Sequence, residues 1–97
     1  MEVLWLEDAR EDLREIRQFL KERAGNLVTN HIGLHIVEAV NALAEMPNRG
    51  RPCRWGGTRE LVITRTPYLI PYRVRGNTIE ILRVFHGAQK FPGAPRE

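Results

Sequence analysis

The change of periodicity at Pro47 constrains the fold of this chain more than any other feature of its sequence. Before Pro47, apolar residues recur at intervals of three and four, which is the spacing of one face of an α-helix. After it come three runs rich in Val, Ile, Thr and Tyr, residues that pack well on the pleated surface of a sheet. The sequence therefore predicts a helical first half followed by a small β-sheet.

The helical half divides at Ala24-Gly25-Asn26, which is a helix stop signal. Asp8 is the candidate cap of the first helix, and the second helix must end before Pro47 because the residue before a proline is pushed out of helical geometry. A short turn between two amphipathic helices predicts an antiparallel helical hairpin. Its apolar stripes are Ala9, Leu13, Ile16 and Leu20, widened by Phe19, and then Val28, Ile32, Ile36, Val40, Leu43 and Ala44.

The strand-like runs cover residues 58–64, 68–75 and 78–85, and the last two are separated by the hairpin signal Gly76-Asn77. Pro71 cannot donate a hydrogen bond to a neighbouring strand, so it must face an edge or a bulge. A short apolar run, residues 3–6, precedes the helices. The predicted fold class is α+β in the order β-α-α-β-β-β, with the helical hairpin packed on a small antiparallel sheet.

Length and composition bound the organisation. Ninety-seven residues predict a single domain over 1–97, with 92–97 as a loose tail. No apolar stretch approaches the roughly 20 residues that a membrane span needs, and the first residues do not resemble a secretory signal. Cys53 is the one cysteine, so no intrachain disulfide can form. These features predict a cytoplasmic protein without a membrane partner.

The net charge of +3 conceals a division between the halves. Residues 1–46 carry five Lys/Arg and nine Asp/Glu, whereas residues 47–97 carry ten Lys/Arg and three Asp/Glu. This asymmetry indicates that the second half meets a polyanion or an acidic partner. The alternative is a solvated helical surface beside an ordinary Arg-rich sheet.

Candidate chemistry concentrates in the basic half. Arginines on or beside strands can be arrayed against phosphates or carboxylates, and the interleaved aromatic residues can stack on bases. The alternative is that the tyrosines belong to the core and the arginines form a solvated rim. His86, beside Gly87, is a candidate general acid or base, or else a strand cap. His31, His35 and Glu38 have helical spacing that suits metal ligands, but a polar helix edge explains them better, and no metal or cofactor is predicted. The aromatic residues are Trp55, Tyr68, Tyr72 and Phe85.

The order and spacing of several short patterns resemble the RelE/ParE superfamily of toxins over about residues 3–92. The resemblance implies a two-helix, sheet-based fold and the toxin of a type II toxin–antitoxin operon, neutralised by a cognate antitoxin protein that wraps it. The patterns are Trp5 before Ala9-x-x-Asp12-Leu13-x-x-Ile16, Met46-Pro47-x-x-Gly50-Arg51, Thr58-Arg59-Glu60-Leu61, Tyr68-x-x-x-Tyr72-Arg73-Val74 and Ile79-x-Ile81-Leu82-x-Val84-x-His86-x-x-Gln89.

The superfamily implies two different activities. RelE-like members cut mRNA in the ribosomal A site without a metal, whereas ParE-like members inhibit DNA gyrase. In many RNA-cleaving members an Arg follows the Tyr of the middle strand, and lysines lie on the preceding strand; this chain has Leu69, Glu60 and Val62 there. Losing those cations removes stabilisation of developing phosphate charge. The resemblance therefore favours gyrase as the target, with the ribosome-dependent nuclease as the alternative and a non-toxic DNA-binding or stabilisation module as a third.

Two sets of residues follow as site predictions. If the protein is a nuclease, the catalytic set is Arg59, Arg73, Arg83 and His86. The set that binds the target or the antitoxin is Arg51, Arg54, Arg65, Arg75, Lys90 and Phe91.

Overall fold

The structure, a computed structural model, describes residues 1–87 and consists of a mixed β-sheet with a helical layer on one face. The strand order across the sheet is β1-β5-β4-β3-β2, and β6 pairs with β4. The predicted α+β fold class is confirmed. The elements are β1 Glu2–Trp5, α1 Glu7–Asn41, a 3-10 turn Ala42–Ala44, β2 Arg51–Pro52, β3 Arg59–Val62, β4 Tyr68–Arg75, β5 Thr78–Ile81 and β6 Phe85–His86.

Helix α1 is interrupted at Gly25, where φ is 84° and ψ is 175°. That region of backbone geometry is essentially restricted to glycine, which explains why the predicted stop signal breaks the helix here. The two arms, residues 7–24 and 26–41, lie side by side. A Cβ on Gly33 would be 3.4 Å from Nη1 of Arg17, whereas a straight helix would separate these residues by about 24 Å. The predicted helical hairpin is therefore present.

The start of α1 differs from the prediction. Leu6 occupies the cap position with extended backbone and no side-chain cap hydrogen bond, and the helix begins at Glu7. Asp8 thus lies in the first turn instead of capping it. There, with Glu7, it places negative charge beside the positive end of the helix dipole.

The sheet is not wholly antiparallel. β4 pairs antiparallel with β3, β5 and β6, and β2 pairs antiparallel with β3, as expected. β1, however, pairs parallel with β5, with Val3 opposite Ile79 and Trp5 opposite Ile81. The helical hairpin between them supplies a crossover long enough for parallel pairing. The prediction of an antiparallel sheet is therefore wrong at this edge.

Pro71 explains why the last predicted strand, 78–85, is two strands. The carbonyl of Pro71 accepts a hydrogen bond from the Leu82 N–H at 2.9 Å, but proline has no N–H to return. Beyond Leu82 the chain leaves the ladder, and it returns only where Phe85 pairs with Leu69. The expectation that Pro71 faces a bulge is confirmed.

The core lies between the hairpin and the sheet face that carries Tyr68, Ile70 and Tyr72. Both predicted helical stripes reach it, although Phe19 and Val28 are about half exposed. We call this the helical face of the sheet and the opposite side the outer face. The core residues are Ala9, Ile36, Val40, Leu43, Leu61, Ile63, Tyr68, Ile70, Tyr72, Ile79, Ile81 and Val84.

Tyr72 also anchors the loop between α1 and β2. Its hydroxyl donates to the Pro47 carbonyl and accepts from the Gly50 N–H, each at 2.8 Å. A Cβ on Gly50 would lie 2.6 Å from the Tyr72 ring, so only glycine fits. Burial raises the pKa of the Tyr72 hydroxyl above its ordinary value.

Within residues 1–87, no helix combines the length and apolarity that a membrane crossing requires. The predicted tail at 92–97 lies outside the described residues.

Candidate functional site

The outer face of the sheet carries charges in cross-strand register. Successive side chains of a strand point to opposite faces, so the odd-numbered residues of β4 lie on this face. Arg73 is opposite Glu80 of β5, and its Nε lies 2.6 Å from the Glu80 carboxylate, with both side chains largely buried. Arg75 approaches the same carboxylate at 3.8 Å and is more than half exposed. Glu80 thus neutralises Arg73 and leaves Arg75 open to solvent.

Arg59 points into the loop before β2. It is opposite Tyr72, on the helical face of the sheet, and its Nη1 donates to the Gly50 carbonyl at 2.8 Å and to the Asn48 carbonyl at 3.4 Å. Arg59 and Tyr72 thus both hydrogen-bond to the loop of residues 47–50. In this structure Arg59 stabilises that loop.

Arg83 is bound to the first arm of the hairpin. Its Nε and Nη2 donate to the two carboxylate oxygens of Asp12 at 2.6 and 3.0 Å, and Asp12 also accepts the Val84 N–H at 2.9 Å. The hydrogen bonds to Asp12 raise the pKa of the Arg83 guanidinium above its ordinary value. Asp12 therefore ties the bulge between β5 and β6 to the helix.

His86 lies at the far end of β4, opposite Tyr68, whose ring it meets edge-on at a centroid distance of 5.9 Å. Both rings are on the helical face, beside a groove of about 300 Å³ that Phe19 and Ile16 also line. Burial raises the pKa of the Tyr68 hydroxyl.

The four predicted catalytic residues form two separate pairs: Arg59 and Arg73 line one groove, and Arg83 and His86 line another. His86 is opposite residue 68, whereas Arg73 lies five residues further along β4, about 17 Å away. Arg73 also points to the other face of the sheet. Arg59, opposite residue 72, is about 13 Å from the His86 end. The guanidinium of Arg59 contacts backbone carbonyls, that of Arg73 contacts Glu80, and that of Arg83 contacts Asp12.

The positions where RNA-cleaving relatives carry cations lie on the outer face. Leu69 is opposite Val62, which makes an apolar cross-strand pair. Glu60 is buried and bound to Arg51, whose Nε is 2.6 Å from its carboxylate. This part of the sheet therefore presents apolar surface and a neutralised ion pair.

The remaining predicted contact residues are spread over loops. Arg54 and Arg65 are exposed, and Arg65 has a φ of 63°, uncommon outside glycine. Within residues 1–87, Arg65 makes no ion pair or side-chain hydrogen bond. Lys90 and Phe91 lie outside the described residues.

The aromatic residues do not form a base-stacking platform. All four are buried: Trp55 is 6% exposed, Tyr68 5%, Tyr72 0% and Phe85 4%. The alternative for the two tyrosines, that they belong to the core, is correct, and Trp55 and Phe85 are buried as well.

Sequence reasoning did not identify the acidic partners. The signal available for Asp12 was its position directly before the inward-facing Leu13, because an acid beside an apolar stripe can reach a buried partner. No comparable signal marked Glu80. Among residues 1–87, no group of His, Cys, Asp and Glu side chains is placed to hold a metal ion, and His35 instead contacts the Thr64 carbonyl at 2.9 Å.

Comparison with known proteins identifies a family. Residues 3–91 match the family described as ParE toxin of type II toxin–antitoxin system, parDE. The chain is 39% identical to the putative toxin Y4kP of Sinorhizobium fredii, covering 93% of this chain and 92% of that protein. It is 34% identical to toxin RelE2 of Caulobacter vibrioides, covering 91% and 97%.

Solved structures agree with these sequence matches. A chain of the chromosomal ParDE toxin–antitoxin system from P. aeruginosa has a TM-score of 0.83 and 33% identity, covering 89% of this chain and 95% of that one. A chain of the toxin–antitoxin complex RelBE2 from Mycobacterium tuberculosis has a TM-score of 0.63 and 28% identity, covering 88% and 95%.

Proposed function

Because the chain belongs to the ParE toxin family of type II toxin–antitoxin systems, we propose that it arrests growth by inhibiting DNA gyrase and that a cognate antitoxin neutralises it. The observation that carries the choice of target is that Arg59 and Arg73 lie apart from Arg83 and His86, and that the three arginines are engaged by the Gly50 carbonyl, Glu80 and Asp12.

Cleavage of RNA through its 2′-hydroxyl needs cations directed at the phosphate and an acid or base within hydrogen-bond reach of the reacting atoms. Arg73 and His86 lie on opposite faces of the sheet, about 17 Å apart along β4. Arg83 already donates two hydrogen bonds to the carboxylate of Asp12. A nuclease would have to break internal ion pairs before it could engage a phosphate, which supports the gyrase-directed function.

Inhibition of gyrase requires a binding surface rather than a catalytic site. Arg54, Arg65 and Arg75 are exposed, so a protein partner can reach their side chains. Arg54 and Arg65 lie in separate loops and Arg75 at the end of β4, so they provide separate contact points. We assign them, with Arg51, Lys90 and Phe91, to contacts with gyrase or the antitoxin.

The antitoxin complements this surface. The toxin exposes both cations and hydrophobic side chains. An amphipathic antitoxin segment can place acids against the cations and apolar side chains against the exposed hydrophobic residues. Val62 and Val74 of the sheet and Leu34 of the hairpin are each more than 40% exposed. The relatives from toxin–antitoxin complexes support a protein partner of this kind.

The decisive experiment is plasmid supercoiling by purified gyrase with micromolar toxin. We expect inhibition, accumulation of cleaved DNA, and relief by the antitoxin. Arg65→Asn tests the surface because asparagine tolerates the left-handed backbone and removes only the charge. Arg23→Gln, on the hairpin, is the matched control. Normal supercoiling in the presence of folded wild-type toxin would refute the gyrase target.

The ribosome-dependent nuclease remains the second candidate because a relative that is 34% identical is named toxin RelE2. Toe-printing on programmed ribosomes separates the two functions. A-site cleavage by the wild type that disappears in His86→Ala would establish the nuclease and displace the gyrase proposal. Intact mRNA, together with blocked supercoiling, is the expected result.

A further inference from the structure

A basic cleft lies between the two arms of the hairpin, in the half of the chain whose overall charge is negative. Its volume is about 540 Å³. Three cations of the first arm, Arg14, Arg17 and Lys21, line one wall. Asn26 and Asn30 of the second arm line the other. The total charge of residues 1–46 gave no indication of it.

The cations lie on one helix face because residues at i, i+3 and i+7 are neighbours along a helix. Arg14 is partly neutralised, since its Nη2 lies 2.7 Å from Glu11 and 3.6 Å from Glu7. Arg17 and Lys21 form no ion pair or side-chain hydrogen bond with any residue of 1–87. Their charges are therefore available to a ligand.

The opposite wall offers no carboxylate. Between Asn26 and Val37 the second arm has no acidic residue. Gly33 lets Arg17 lie across this arm, because a Cβ at Gly33 would be 3.4 Å from Nη1 of Arg17. Thr29 is buried and directs its hydroxyl to the Gly25 carbonyl at 2.8 Å.

Amide groups supply hydrogen bonds beside the cations. The side chains of Asn26 and Asn30 make no hydrogen bond within residues 1–87, and each offers two donors and an acceptor. Gln18, also at the cleft, donates to Glu22 at 2.9 Å. Cations next to unused amides form a site that can hold phosphate oxygens and adjacent hydroxyl or base edges.

We propose that this cleft binds the phosphate groups of a small phosphorylated ligand of the nucleoside di- or triphosphate class. The acids around it favour a small ligand over a nucleic acid. Glu7, Glu11, Glu15 and Glu22 lie on the same arm and are exposed, so a long phosphate backbone leaving the cleft would meet negative charge. A compact polyphosphate contacts Arg17 and Lys21 without extending past them.

The test is isothermal titration of the purified full-length chain with pyrophosphate, ADP and adenosine, and with a short DNA duplex. Pyrophosphate and ADP should each bind one site per chain, and adenosine should not. Arg17→Gln with Lys21→Gln should weaken ADP binding at least about tenfold, because hydrogen bonds to charged groups are the stronger class. Arg23→Gln with Arg49→Gln makes the same change in net charge outside the cleft and should leave binding unchanged.

Asn30→Asp is a second variant, on the other arm, which adds negative charge to the cleft at an exposed position and should also weaken binding. Circular dichroism confirms that each variant is folded. Absence of binding at millimolar ADP, or equal weakening in the two double variants, would overturn the proposal. Duplex DNA that binds more tightly than ADP and depends on Arg17 and Lys21 would replace the small ligand by a nucleic acid.

Discussion

Asp12 determines the geometry where the hairpin meets the end of the sheet. One carboxylate accepts two hydrogen bonds from Arg83 and one from the Val84 N–H. The Asp12 side chain is 14% exposed and that of Arg83 is 32% exposed, so solvent replaces these bonds only in part. The resulting contact joins residues 71 positions apart and holds the bulge beside β6.

Removing this carboxylate should destabilise the fold. In Asp12→Ala the guanidinium of Arg83 and the Val84 N–H lose their acceptor, so the free energy of unfolding should fall by about 1–3 kcal/mol. Urea unfolding followed by circular dichroism measures the change. Glu38→Ala, exposed on the second arm, is the control and should change stability by less than about 0.5 kcal/mol. Equal stability of the two variants would contradict the role given to Asp12.

At the scale of elements, two glycines shape the fold for different reasons. Gly25 adopts the backbone conformation that separates the two predicted helices into two arms. Gly50 is required by close approach, since the Tyr72 ring occupies the space of its Cβ and the Glu60 carbonyl is 2.9 Å from that point. The stop at Gly25 was predictable because glycine is a recognised helix terminator, but the contact at Gly50 depends on a strand 22 residues away.

Gly50→Ala tests how tightly the loop is held against the sheet. The added methyl group meets a buried ring that cannot move freely, so we expect a loss of about 1–3 kcal/mol in the free energy of unfolding. Gly56→Ala is the matched control, because nothing lies within 4 Å of its Cβ position. Thermal and urea denaturation of the two variants provide the comparison, and an unchanged Gly50→Ala protein would show that the loop is not tied down.

At the scale of the whole molecule, the net charges of the two halves of the sequence describe the charged surfaces of the folded protein only in part. In the basic half, Arg51, Arg73 and Arg83 are neutralised by Glu60, Glu80 and Asp12. Fewer side chains therefore present unpaired positive charge than the ten Lys and Arg residues of this half would suggest. In the acidic half, the hairpin has a basic cleft of its own.

Binding of the antitoxin should therefore depend on salt, but only moderately. Raising ionic strength from about 0.1 M to about 1 M shortens the screening length from about 10 Å to about 3 Å. We expect the dissociation constant of the toxin–antitoxin complex to rise about tenfold or more, with residual binding through apolar contacts. Titration calorimetry at both salt concentrations measures this, and Arg65→Asn with Arg75→Gln should reduce the dependence. An affinity insensitive to salt would rule out an electrostatic component.

The sequence by itself determined the local elements: the helical arms, the break at Gly25, the strand at 68–75 and the interruption beside Pro71. These follow from periodicity, proline and glycine, which act within a few residues of themselves. The tertiary structure decided the parallel pairing of β1, the partners of the arginines and the faces to which Arg73 and His86 point. Those features depend on contacts between distant residues, and a charge count cannot reveal which cations are already paired. The structure pairs Arg51, Arg73 and Arg83 with carboxylates, and it places Arg59 and Arg73 apart from Arg83 and His86, which a nuclease would need together.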